Sequence, residues 1–164
     1  MSNRAASQRL EGNPVISVSN GQKIGKVEDI LIDADALRAA AVVTSGGNLL
    51  NREIHAIPAA SVEVWGLDAC LVKQPDVVLK GEELDRNSQW LSVSDDIRGY
   101  EVVAEDGTRI GTLGDVVLDG EGQVMGYEMA DVAIEGRVAV AKWIDVKATQ
   151  SLGPDVLIVK PDYV

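Results

Sequence analysis

Gly107-Thr-Arg-Ile-Gly-Thr-Leu-Gly-Asp-Val-Val-Leu-Asp119 has a second copy in the same chain. Moved back 86 positions, it falls without a gap on Gly21-Gln-Lys-Ile-Gly-Lys-Val-Glu-Asp-Ile-Leu-Ile-Asp33. Five of the 13 aligned pairs are identical: Gly21/Gly107, Ile24/Ile110, Gly25/Gly111, Asp29/Asp115 and Asp33/Asp119. Five more keep size and polarity. Self-similarity at a fixed period marks one structural unit used twice. In 164 residues that makes two units of about 80 residues each. A unit this small buries only roughly 60–65% of its unfolded surface, so packing one copy on the other adds stability that each lacks alone.

The residues around the repeated block predict strands. Asn20-Gly21 precedes it in the first copy and Asp106-Gly107 in the second. These are the dipeptides that best hold the positive φ angles of a tight hairpin turn. Pro14-Val-Ile-Ser-Val18 before the first turn is a strand with proline at its tolerated first position. Within the block, Ile24, Val27, Ile30 and Leu31 recur at helical spacing. Glycines at 25 and 111 weaken a helix, and Ile30–Ile32 and Val116–Leu118 are short apolar runs, so a bulged strand is predicted instead. Ala34–Ala41 is alanine-rich, but its twin carries glycines, which predicts a turn leading into a strand over Ala40–Thr44. Each copy ends on a short strand, Ala69–Lys73 and Val156–Lys160. Residues 1–9 are polar and read as a loose end. The polar segment 81–94 is the linker, giving a first repeat at 8–80 and a second at 95–163.

Composition narrows the class. There is no Phe, so the core is built of Val, Ile, Leu and Ala, a strand-favouring set. No run of 18 apolar residues encodes a membrane span, and the opening residues lack the apolar stretch of a secretory signal. One cysteine, Cys70, excludes an internal disulfide and fits a reducing cytoplasm. The net charge of −11 is uneven: residues 1–80 carry 8 basic and 9 acidic side chains, residues 81–164 carry 7 and 17. A second half of net −10 repels phosphate backbones, which argues against nucleic acid and for either simple solubility or a basic protein partner.

The pattern Leu/Ile-x-Gly, then Val-Ile or Val-Val, then Gly-x-x-Ile-Gly-x-x-x-Asp-x-x-x-Asp resembles the PRC-barrel family in both halves. The first copy adds Ile57-Pro58-Ala-Ala-Ser-Val62, similar to the segment the family uses before its last strands. The second has Val140-Ala141 there, and the likeness thins. The resemblance implies an all-β fold of two tandem, small six-stranded β-barrels. The family includes the cytoplasmic domain of the photosynthetic reaction-centre H subunit and the C-terminal domain of the ribosome-maturation factor RimM. Its understood members dock or assemble other proteins, and the same non-catalytic role is expected here.

Side chains for catalysis are scarce. His55 and Cys70 are single, so a zinc site would be mainly carboxylate, and no nucleophile–base pair is encoded. The repeated Asp29, Asp33, Asp115 and Asp119 fit a fold-determining role, because aspartate at a strand end accepts hydrogen bonds from turn amides. Asp115, Asp119 and Glu121 carry the alternative, a metal-ion or small-ligand site in the second repeat. Asp33-Ala-Asp35 is too short for a calcium loop, and Gly120–Gly126 misses the dinucleotide-loop spacing by one residue. No cofactor is expected. Trp90 is an interface candidate and Trp143 a buried one. The likeness of the two units and the shortness of the linker also allow copies to exchange strands as a homodimer.

Overall fold

The computed structural model describes residues 5–46, 53–80, 90–132 and 143–160. It is built mainly of strands. The first repeat has β1 (Ala5–Ala6), the single helical turn α1 (Ser7–Leu10), β2 (Pro14–Ser17), β3 (Lys23–Asp33), β4 (Arg38–Gly46), β5 (Glu53–Pro58), β6 (Val62–Trp65), β7 (Cys70–Val72) and β8 (Leu79–Lys80). The second has β9 (Trp90–Ser92), a helical turn at Val93–Ile97, then β10 (Glu101–Ala104), β11 (Arg109–Leu118), β12 (Val124–Val132), β13 (Trp143–Asp145), β14 (Thr149–Leu152) and β15 (Val156–Val159).

Both hairpin turns form where the dipeptides predict, with Gly21 at φ 70° and Gly107 at φ 88°, but Asn20 and Asp106 keep negative φ, so each turn places only its glycine in the left-handed region. The repeated blocks are the long central strands β3 and β11. Their helix-like spacing is absorbed by bulges. Val15 pairs with Gly25 but Ile16 with Lys23, so Ile24 is the extra residue, and Val102/Gly111 with Val103/Arg109 makes Ile110 its twin. A further shift at Glu28 lets Val27 and Ile30 both face inward and be buried. Residues 34–37 form a turn, and the following strand starts at Arg38, two residues earlier than expected.

Within each repeat the strands run as antiparallel neighbours, and the chain then returns to lay β7 parallel to β2 and β15 parallel to β10. Among the described residues the second repeat supplies six strands, β10–β15, in the order β13-β12-β11-β10-β15-β14. The first runs β6-β7-β2-β3-β4-β5-β8. Each sheet curls into a half-barrel. Two separately filled barrels were expected. Most of the buried apolar side chains instead form one cluster that runs through both repeats, from Val15, Ile30 and Val72 to Val102, Leu113 and Leu157, beside a small one of Leu31, Ala41 and Ala56.

Three sequence expectations are corrected. Residues 5–9 are not a loose end: Ala5 and Ser7 are buried, because β1 pairs with β11 of the other repeat (Ala5 opposite Leu118, Ala6 opposite Val117). The end of the expected linker, Trp90–Ser92, is likewise a strand, paired with β3 of the first repeat (Leu31 opposite Ser92, Asp33 opposite Trp90). Residues 81–89 lie outside the described residues. The structural counterpart of Ile57–Val62 is Ile144–Thr149, at a constant offset of 87: in each copy a strand runs into a 3-10 turn, Ala59–Ser61 or Val146–Ala148, and out into the next strand. Val140-Ala141 lies outside the described residues. The match was hidden because Asp145 replaces Pro58. Its carboxylate accepts from the Lys147 amide at 2.9 Å and so starts the same turn by a different device.

Candidate functional site

The residues that distinguish this chain chemically gather at the seam between the repeats. β12 covers one edge of β11. The other edge is shared by β10 along its first half and β1 along its second. In the same way β3 is flanked by β4 on one side and by β2 and then β9 on the other. Each repeat therefore completes its central strand with a lead segment that belongs to its sister.

The repeated aspartates hold those leads. Asp115, buried at 4% exposure, accepts from the Ser7 hydroxyl and from the Gln8 amide at 2.9 Å. Asp29 accepts from the Ser92 hydroxyl and from the Ser94 amide at 3.1 Å. Each also accepts the amide of its next residue, Val116 or Ile30, at 2.8 Å. The carboxylate thus reads the start of a helical turn on the opposite repeat, where amides without helical partners point outward. Ser92 doubles as a cap, accepting from the Asp95 amide at 3.0 Å.

Between these two anchors lies Arg98. It donates to Glu11 at 2.7 Å and to the Ser7 hydroxyl at 2.8 Å, and stands 3.6 Å from Asp115. Burial opposes its charge. The Glu11 hydrogen bond and the charges of Asp115, Glu11 and Asp29 outweigh that and raise its pKa. Both partners are about a quarter exposed, 26% for Arg98 and 25% for Glu11.

The turns after the central strands also meet at the seam. Ala39 donates to the Gly122 carbonyl at 2.7 Å and Val124 to the Leu37 carbonyl at 3.0 Å, a reciprocal pair. Asp33 and Asp119 hold these turns closed from within: Asp33 accepts the amides of Asp35 and Ala36, Asp119 those of Glu121 and Gln123. Trp65 lies flat against Gly122, where a Cβ would come within 2.6 Å of its Nε1, and its own amide donates to Gly120.

The other predicted residues are placed as follows. Gly111 lets β12 approach: a Cβ there would meet the Asp131 carbonyl at 2.0 Å. Gly25 sits at the matching bulge opposite Val15. Trp90 is half-buried on β9 against Leu31, Ala41 and Ala56. Trp143 is also half-buried, its ring lying over Gly126. Asp115, Asp119 and Glu121 do not converge: Asp115 faces the lead segment and Asp119 its own turn. Among the described residues, no group of three or more His, Cys, Asp or Glu is placed to hold a metal ion. Burial pushes the Cys70 thiol up to about 12, which leaves it protonated and unreactive at neutral pH. His55 lines an open cleft of about 530 Å³ on the first repeat, with Lys23, Ile24, Pro75, Leu79 and Lys80. Glu11 and Arg98, the charged pair at the centre of the seam, were missed by motif reading. Their equivalence at offset 87 was the available signal.

No described helix is long and apolar enough to cross a membrane. Comparison with curated proteins finds no match. The model of the PRC-barrel domain matches the chain twice, over residues 3–77 and 94–164. Those two matches cover most of the chain, the first of them including the lead that docks on its sister, and the chain therefore belongs to the PRC-barrel domain family, as a tandem pair.

Proposed function

We propose that this chain is a non-catalytic docking or assembly module. One observation carries the reading: each repeat holds, along the open half of its central strand, a polypeptide segment that is not its own. Strand addition to a sheet edge is a recurring mode of peptide recognition. The family's assembly roles, in reaction centres and in ribosome maturation, support the same conclusion. The partner is a protein with a basic face. The second half carries net −10, and Glu101, Glu105, Asp106, Glu121, Glu128 and Asp131 are exposed on it. That charge disfavours nucleic acid. The single buried thiol fits a cytoplasmic setting.

The test is capture with the tagged full chain from its native cell, followed by binding measurements on the purified partner across a salt series. Affinity is expected to fall several-fold between low and physiological ionic strength. A partner indifferent to salt would remove the basic-face reading, and a turnover activity in the purified chain would remove the non-catalytic one. Thermal melts with millimolar calcium or magnesium address the carboxylate alternative. No rise in Tm is expected, since a specifically bound ion has to stabilise the folded state.

A further inference from the structure

The seam has the form of a two-fold contact. Lead one lies on β11 while lead two lies on β3, and the Ala39–Gly122 hydrogen bond is returned by Val124–Leu37. Glu11 and Arg98 occupy equivalent places at offset 87, as Asp29 and Asp115 do at offset 86. Two first repeats meeting this way would set Glu11 against Glu11 beside two Asp29 carboxylates. Two second repeats would lose the Arg98–Glu11 bond. The seam therefore selects a first repeat for a second.

Nothing in that selection requires both halves to be on one chain. The contacts named above are made by residues 5–11, 29–39, 65, 90–98 and 115–124, while the covalent tether is the 81–89 segment. We propose that the seam also joins two copies of this protein: the first repeat of each docks on the second repeat of the other, in a closed dimer with two seams, each made as in the single chain. The swapped and unswapped forms share their non-covalent contacts, so their balance is set by the effective concentration of the tethered repeats, of millimolar order for a short linker. This goes beyond the docking reading above, which concerns a foreign partner, and it stands or falls without one.

Charge reversal separates the two forms. Arg98→Glu sets Glu against Glu within one chain, and Glu11→Arg sets Arg against Arg. Each is expected to weaken the internal seam about tenfold or more. Only a swapped heterodimer of the two variants has a Glu–Arg pair in both seams. Refolded together in equal amounts, they are expected to give a species of twice the 17.4 kDa chain mass by light scattering. The double variant, with the pair inverted within one chain, stays monomeric at micromolar concentration. A mixture that remains at the single-chain mass up to millimolar concentration overturns the proposal. Should a reversed variant not refold, the Ala6→Cys/Val117→Cys chain in a Cys70→Ser background gives a second reading, because Ala6 and Val117 are register partners. Refolded concentrated and then oxidised, it should yield disulfide-linked dimers on a non-reducing gel. Internally bridged monomers alone would overturn the idea equally.

Discussion

Asp115 and Asp29 do the same work from different depths, and that sets their relative cost. Asp115 is buried and, if lost, strands the Ser7 hydroxyl, the Gln8 amide and the inner side of Arg98. Asp115→Ala is expected to cost about 2–4 kcal/mol, the range for charge-assisted hydrogen bonds left unmade inside a protein. Asp29 is only half-buried and its alanine variant should cost about half as much. Urea midpoints at unchanged m-value measure both. Titration offers a second residue-scale test. Burial raises the Tyr127 hydroxyl from 10.0 to about 12, the Thr149 hydrogen bond pulling weakly the other way, and the Cys70 thiol rises from 9.0 to about 12. Between the unfolded and folded values the unfolded chain has lost protons that the folded chain keeps, so stability is full below about pH 9 and falls as pH rises toward 12. Tyr127→Phe should flatten the part of that decline above pH 10, seen in denaturant midpoints taken from pH 8 to 11. The recurrence of the aspartates was legible in the sequence. Their partners were not, because those lie 63 and 108 residues away.

Among elements, the hairpin turns show what local sequence can and cannot say. Asn20-Gly21 and Asp106-Gly107 announce themselves, since the positive φ each turn needs falls on its glycine. Bulges rescued the strand reading of Lys23–Asp33 from its helical spacing, and a glycine beside the irregularity was the visible clue. The turn at Asp119–Gln123 also carries glycine at positive φ, but the neighbour that makes Gly122 special, Trp65, arrives from the other repeat. Gly107→Ala, with nothing within 4 Å of the added carbon, is expected to cost about 1–2 kcal/mol from backbone strain alone. Gly122→Ala adds displacement of the Trp65 ring and should cost clearly more, with a changed tryptophan emission that Gly107→Ala does not produce. The 3-10 turn at Val146–Ala148 escaped sequence reading because an aspartate cap and a proline start leave no common letter.

At the scale of the molecule, one buried cluster runs through both repeats, and the expected unfolding is a single transition. Val72→Ala in the first repeat and Val159→Ala in the second, both fully buried, should each cost about 1–3 kcal/mol and lower one shared midpoint. Calorimetry resolving two separately shifted peaks would contradict this. The number of units and their strand content were legible from the internal repeat. Their interlocking was not, because the lead segments read as polar ends and linker until the sister repeat is there to bury them. That interlocking has a consequence for how the protein is made. The segment that completes the second repeat is synthesised first, about 110 residues ahead of its site on β11, whereas the first repeat leaves the ribosome with β3 unfinished until Trp90–Ser92 follows. A nascent chain therefore carries one piece waiting for its place and one place waiting for its piece. Final closure of both depends on contacts distant in sequence, which are the slow ones to form.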